Sequence, residues 1–329
     1  MKTVIITGGC GFIGSHVVEH FFRKTEWRII ILDRLSYASK GFSRIRSMGI
    51  LDSNRIRLFT YDLTQPISQG LALEIGNDIH HIFHIAAETH VDNSIDTPVP
   101  FVMNNISSTL TMLEFARLLP GLETFFYFST DEVFGSAPNN VAFHEWDVHR
   151  PTNPYSASKS AGEQLCIAYE NTYRVPIMIV NCMNAFGERQ HAEKFIPKVI
   201  KYVMEGKTLP IHADKECANP GSRFYIHARN IASALLFLIH HGTVGEKYNI
   251  RGEQEVNNLE MAQLIADVIQ KPLHYELVNF HEDRPGHDLR YCLDGTKLHD
   301  LGFQLPVDFE HSLRKTVEWT LEHQEWLKK

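Results

Sequence analysis

Two short stretches carry the side chains best suited to chemistry. Ser129-Thr130-Asp131-Glu132-Val133-Phe134-Gly135 sets a hydroxyl beside two carboxyls, and Tyr155-Ser156-Ala157-Ser158-Lys159 sets a phenol four residues before an ammonium. Residues four apart in an unbroken helical pattern share one face, so Tyr155 and Lys159 point the same way. Neighbouring carboxyls in a water-poor site repel each other's charge, so one protonated and one ionised is the natural pairing, an acid beside a base. A free phenol holds its proton up to about pH 10. The ammonium of Lys159 favours the phenolate, which makes Tyr155 a candidate base near neutrality.

Those groups need elements to position them. The apolar run Phe125-Phe126-Tyr127-Phe128 reads as a buried strand of a parallel sheet. Thr130, Asp131 and Glu132 then stand at its end, the edge where open α/β sheets hold ligands. At the start of the chain, Val4-Ile5-Ile6-Thr7 is a short strand that runs into Gly8, Gly11 and Gly14 and then a helical pattern from Ser15 to Phe22. This GxxGxxG spacing, which brackets Phe12 and Ile13, is a relative of the dinucleotide fingerprint. It permits a tight turn, close approach of a pyrophosphate and close helix packing. A second strand, Arg28–Leu32, ends at Asp33, where a carboxylate accepts from a ribose diol and repels a 2′-phosphate. NAD is therefore the expected cofactor, although Arg34 sits next door, and its cationic nicotinamide would join Lys159 in favouring the Tyr155 phenolate. Strands at 56–61 and 78–85 end in Asp62-Leu63, suited to the adenine, and in Ala86-Ala87, small enough for close cofactor approach.

An amphipathic helix follows over Phe101–Leu119, with Asn104 and Asn105 near its start, and a further strand over 175–180. Helical segments then fall near 195–205, 230–241, 258–270 and 312–328, separated by short strands and Pro/Gly-bearing loops. The expected fold class is α/β, a Rossmann-type doubly wound parallel sheet with a smaller C-terminal α/β substrate-binding domain. Residues 1–180 form the NAD-binding part, with later returns near 223–250, and a discontinuous substrate-binding domain occupies 181–329. Arg223, Arg284 and His287, in loops of that second part, suit a second pyrophosphate.

Composition narrows the classes. With 43% apolar and 22% charged residues among 329, the chain can bury a large core. A net charge of -7 without a basic cluster argues against nucleic-acid and anionic-membrane surfaces, and no apolar run is long enough to span a bilayer. Met1-Lys2-Thr3 runs straight into a strand, leaving no room for a signal peptide, so a cytoplasmic protein is expected. The five scattered cysteines, none in a CxxC pair, read as free thiols. His80, His81 and His84 lie in a strand entry with no carboxylate to complete a ligand set, so no metal is expected.

Taken together, Thr7-Gly8-Gly9-Cys10-Gly11-Phe12-Ile13-Gly14 and Tyr155-x-x-x-Lys159 resemble the extended short-chain dehydrogenase/reductase family. Four further stretches resemble its nucleotide-sugar 4,6-dehydratases. They are Ala86 through Ile95, Ser129 through Gly135, Glu193-Lys194-Phe195-Ile196-Pro197, and Arg284-Pro285-Gly286-His287-Asp288. The resemblance implies tightly bound NAD and a nucleotide-diphosphate hexose, with dTDP-glucose expected ahead of UDP-glucose. It implies C4 oxidation with Tyr155 as base and Thr130 bonding the same hydroxyl. Water is then lost across C5–C6, with Glu132 taking the C5 proton and Asp131 protonating the 6-hydroxyl, before hydride returns to C6. It further implies substrate contacts at Glu88, His90, Asn184 and Lys194, and a homodimer through a four-helix bundle built from the helices near 101–119 and 156–173. The chain departs from the family at Asn181-Cys182-Met183-Asn184-Ala185-Phe186-Gly187-Glu188 and at Arg223-Phe224-Tyr225, segments that border the sugar nucleotide in the family. A 4-epimerase or decarboxylase on the same scaffold is the nearest rival, but an epimerase needs no acid at C6. A non-catalytic NAD-sensing protein is the other, and it has no use for all four of Asp131, Glu132, Tyr155 and Lys159.

Overall fold

The computed structural model describes residues 1–279 and 288–328. Seven parallel strands make the main sheet: β1 (Thr3–Thr7), β2 (Arg28–Asp33), β3 (Ile56–Thr60), β4 (His81–His84), β5 (Thr124–Thr130), β6 (Ile177–Cys182) and, after four short strands, β11 (Lys247–Ile250). Those four are β7 (Ala185–Phe186), β8 (Leu209–Ala213), β9 (Ser222–Phe224) and β10 (Ile226–His227). The spatial order is β11-β6-β5-β4-β1-β2-β3. The chain winds outward from β1 to β3, returns to β4 and winds the other way. The reversal leaves a crevice between the carboxyl ends of β1 and β4.

Alternating side chains along each strand feed two apolar layers. Val4, Ile6, Phe126 and Phe128 pack on one face with α1 (Phe12–Lys24) and α8 (Ala228–His241), the latter through Ile231, Leu235 and Leu238. Ile5, Phe125 and Tyr127 pack on the other face with α5 (Pro98–Ala116) and α6 (Pro154–Tyr173) through Met112, Leu113 and Cys166. A third apolar cluster lies under α7 (Phe195–Glu205), α9 (Asn258–Ile269) and the C-terminal helix Phe309–Glu322. It joins Val199, Val203, Ile211 and Ile265 to Leu313 and Val317. Two-stranded pairs complete this part: β7 with β10, β9 with β12 (Glu255–Asn257), and β8 with β13 (Tyr275–Asn279).

Element boundaries differ from the sequence expectation where capping and pairing decide them. Helix α5 starts at Pro98, because a proline in the first turn gives up an N–H that has no helical partner anyway. The last helix starts at Phe309, with Asp308 accepting from the His311 N–H at 2.8 Å, and stops at Glu322 before a separate 3₁₀ turn over Gln324–Leu327. Arg223 lies in strand β9, not in a loop, because Ser222–Phe224 pairs antiparallel with Glu255–Asn257. Arg284 and His287 fall outside the described residues.

Helix α6 crosses β5 in very close contact. A Cβ on Gly162 would overlap the Tyr127 hydroxyl, which donates to the Lys159 carbonyl at 3.1 Å. Gly162→Ala is expected to destabilise the fold by about 1–3 kcal/mol through overpacking. Urea titration measures this directly, and an unshifted midpoint would mean that the helix can lift off β5 at no cost.

Candidate active site

The first half of the site is built from backbone. Gly8 has φ +68°, and a Cβ there would stand 2.8 Å from Ala86 Cα. A Cβ on Gly14 would overlap the Gly8 carbonyl. Gly11 is the N-cap of helix α1 and supplies no side-chain cap, so the first N–H groups and positive dipole end of the helix are available to a phosphate. Asp33, at the end of β2, accepts from the N–H groups of Cys10 and Leu35 at 2.9 and 2.8 Å. Burial pushes its carboxyl above the usual range, and those two N–H donors pull it part of the way back. The residues fit a dinucleotide: a cradle that a methyl group would fill, an uncapped helix start, and a fixed acid one strand away.

The second half sits at the end of β5. Thr130 Oγ1 donates to Asp131 Oδ1 at 3.0 Å and accepts from the Glu132 N–H at 3.3 Å. Asp131 Oδ2 is buried with no hydrogen-bond partner among the described residues. Glu132 Oε2 accepts from Asn153 Nδ2 at 3.1 Å and from the Tyr291 hydroxyl at 3.5 Å. Burial, reinforced by Glu132, pushes Asp131 up to about 7. Burial raises Glu132 as well, but Asn153 and the Arg223 guanidinium oppose the shift. Near neutrality, Asp131 is the natural proton holder of the pair.

Tyr155 and Lys159 project from the first two turns of α6, whose start is fixed by a capping box between Asn153 and Ser156. Thr130 stands beside the Tyr155 hydroxyl and favours its ionised form. Lys159 Nζ lies 4.3 Å from the centre of the Tyr127 ring, and burial lowers its pKa to about 8. Burial, with Glu132 next, pushes Tyr155 above its ordinary value. Asp131 acts in the same direction as Glu132.

A single cavity of about 480 Å³ brings the two halves together. Gly8, Gly11, Phe12, Ile13, Gly14, Asp33, Asp62, Leu63, Ala86 and Ala87 line it, as do Thr130, Asp131, Glu132, Tyr155 and Lys159. Glu88, His90, Asn184, Lys194 and Arg223 line it too. Glu88 is ion-paired with Arg34, which also donates to Asn104 Oδ1 at 2.9 Å. His90 caps the short helix Val91–Asp96, and Lys194 donates to the Thr89 carbonyl at 3.1 Å. Asn184 Oδ1 is buried without a partner among the described residues. Arg223 is not a free anion ligand. Its Nη1 donates to the carbonyls of Ser222 and Leu289, its Nη2 to that of Asp288, and its guanidinium stacks 4.4 Å from the Tyr291 ring centre.

Sequence reasoning missed Asn153 and Tyr291, which hold Glu132. Asn153 carried a readable signal, an Asn immediately before a proline-initiated helix. Tyr291 carried none, since it meets Glu132 across 159 residues of chain. In the altered segment that starts at the end of β6, Cys182 through Ala185 line the cavity, whereas Asn181 turns away to the Glu163 side chain.

A profile of the family described as GDP-mannose 4,6 dehydratase matches residues 5–316. The dTDP-glucose 4,6-dehydratase of Haemophilus influenzae is 37% identical over 342 residues, 98% of each chain. Among solved structures, dTDP-glucose 4,6-dehydratase from Bacillus anthracis in complex with NAD superposes with a TM-score of 0.87, at 30% identity over 100% of both chains. The enzyme of the same name from Streptomyces venezuelae, with NAD bound, gives 0.87 at 31% identity over 99% of both.

The raised Asp131 carboxyl has a consequence for stability. The unfolded chain releases this proton near the ordinary value of 3.8, whereas the folded chain keeps it to about 7. Stability therefore falls as pH rises between those values and stays lower above them. Asp131→Asn is expected to be more stable than wild type near pH 8 by on the order of 2–4 kcal/mol. The gap should close toward about pH 4, as read from denaturant titrations at the two pH values. A gap independent of pH would mean that this carboxyl does not titrate there.

Proposed function

Since this chain belongs to the GDP-mannose 4,6-dehydratase family, we propose that it is an NAD-dependent nucleotide-sugar 4,6-dehydratase, a hydro-lyase that converts dTDP-glucose to the 4-keto-6-deoxy sugar. The observation that carries this reading is the Thr130-Asp131-Glu132 trio at the end of β5 beside Tyr155, with Thr130 and Asp131 buried and Glu132 half-buried. Asp131 Oδ2 is unpartnered among the described residues and its carboxyl titrates near neutrality. An epimerase has no use for that acid.

NAD, when bound along Gly8–Gly14 and Asp33, supplies the hydride acceptor and donor. Asp62, Leu63, Ala86 and Ala87 line its adenosine and ribose path. Arg34 is tied to Glu88 and Asn104, which leaves Asp33 to meet the ribose diol and favours NAD over its 2′-phosphorylated form. Tyr155 takes the proton of the sugar 4-hydroxyl, with Thr130 bonded to the same oxygen. Its phenol is raised by burial, so the phenolate depends on positive charge close by. Lys159 and the oxidised nicotinamide are the two sources. The 4-ketone then acidifies C5. Glu132, oriented by Asn153 and Tyr291, takes the C5 proton, and Asp131 gives its proton to the departing 6-hydroxyl. Hydride return to C6 and proton return to C5 leave the sequence of steps redox-neutral.

Residues to about 180 with strand β11 form the cofactor part, and the remaining segments form the nucleotide-sugar part. Glu88, His90, Asn184 and Lys194 contribute to the sugar-nucleotide side, and Arg223 holds the wall at Tyr291. Exposed Val99, Met103 and Leu110 on α5, with Tyr173 on α6, suit a homodimer through a four-helix bundle. Five uncrosslinked cysteines suit a reducing, cytoplasmic setting. No described helix is long and apolar enough to cross a membrane.

Mass spectrometry after incubation in deuterated water with dTDP-glucose or UDP-glucose tests the reaction. The expected product has lost one water and gained one deuterium at C5, faster from dTDP-glucose. Asp131→Asn and Glu132→Gln should each slow it by on the order of 10²-fold or more. An unchanged mass with a new retention time would replace dehydration by epimerisation. Sedimentation equilibrium should give twice the 37.7 kDa chain mass, and a monomer at micromolar concentration would rule out the bundle.

A further inference from the structure

One buried carboxylate has no part in the chemistry above, yet it lies a single helical turn past Lys159. Glu163 is fully buried. Its Oε1 accepts from Ser129 Oγ at 2.5 Å and from Asn181 Nδ2 at 2.8 Å, and the same amide reaches the Thr130 carbonyl at 3.3 Å. Its Oε2 meets Lys247 Nζ at 2.6 Å and His149 Nε2 at 3.4 Å. Lys247 is buried as well, and its ammonium lies 5.0 Å from the Trp146 ring centre and 3.2 Å from His149 Nε2. One side chain thus joins α6 to β5, β6 and β11, three adjacent strands.

Stability is a poor explanation for this cluster. Removing two charges from water costs several kcal/mol per ion, and apolar groups of the same shape often do as well or better. Position is the better explanation. Ser129 directly precedes Thr130 and Asp131, so its bond to Glu163 fixes the strand end that carries the acid and base. Lys159 shares a helix face with Glu163. Besides Glu163 and the Lys247 ammonium paired with it, the ionisable groups around Lys159 are Cys166 on its own helix, Tyr127 on β5 and His84 on β4. Burial holds Cys166 and Tyr127 well above their ordinary values, and it holds His84 neutral, so none of these supplies a negative charge. Glu163 does.

We propose that Glu163 is a positioning residue of the reaction centre, whose carboxylate keeps Lys159 cationic and holds the Ser129–Thr130 strand end in register with Tyr155. The catalytic consequence rests on the roles assigned above to Tyr155 and Lys159, but the protonation of Lys159 is measurable without turnover. The experiment is a pH titration of the ¹³Cε-lysine-labelled holoprotein by NMR without sugar, with Lys159 identified by the signal missing in Lys159→Arg. Glu163→Gln should lower the Lys159 midpoint relative to wild type by a unit or more, a tenfold loss of proton affinity. The basic limb of kcat against pH should move with it, while KM for the sugar stays within about twofold. Glu163→Gln also strands the Lys247 ammonium, so Glu163→Gln/Lys247→Met is the second variant. It leaves the cluster uncharged, and its Lys159 midpoint should also lie below wild type, but by less than in Glu163→Gln alone, because a positive charge leaves with the negative one. A Lys159 midpoint unchanged in a folded variant would overturn the proposal, whatever happens to the rate. If wild type dehydrates no sugar, the functional reading falls and the titration still decides this one.

Discussion

The architecture of the site depends on the contact between α6 and the Tyr127 side chain. Gly162 removes the one methyl that would hold the helix away, the Tyr127 hydroxyl caps the Lys159 carbonyl, and the Tyr127 ring lies beneath the Lys159 ammonium. The helix that carries Tyr155 and Lys159 is thereby fixed against the strand that carries Thr130, Asp131 and Glu132. Neither half can move alone. A catalytic constellation has to be held within a fraction of an ångström, and two rigid elements locked side chain to backbone meet that demand better than loops do.

Burial then sets the charge states. Asp131, Glu132 and Tyr155 rise and Lys159 falls for one shared reason, the cost of charge in a pocket with little water. Each group is moved toward its neutral form, and hydrogen bonds decide how far. Glu132 receives Asn153 and Tyr291, whereas Asp131 Oδ2 receives nothing among the described residues. That asymmetry separates an acid from a base in two adjacent carboxyls. A dry site raises a phenol until positive charge arrives with the ligands, so protonation and cofactor binding are linked.

The covering segments contribute mainly by bracing. Arg223 spends its donors on the carbonyls of Ser222, Asp288 and Leu289, and its face on Tyr291. It ties strand β9 to the chain that brings Tyr291 to Glu132. Glu163 acts in the same way beneath the trio, where Asn181, one of the residues that departs from the family pattern, is a partner in the brace and not a wall of the cavity.

The sequence by itself determined the fold class, the order of the first six strands, the glycine turn with its acid, and the two stretches that carry the reactive groups. Those features are local. Apolar runs of strand length, glycine spacing and an i, i+4 pair are set by backbone sterics and periodicity within a few residues. The tertiary structure alone decided the rest. It placed Tyr291 against Glu132, turned Arg223 from ligand to brace, joined Glu163 to Lys247, and raised the Tyr155 phenol by burial. Each of these depends on desolvation or on contacts between segments distant in the chain. A charge's neighbours are legible in the chain when they are one helical turn away, and its loss of water is not, because burial is a property of everything packed around it.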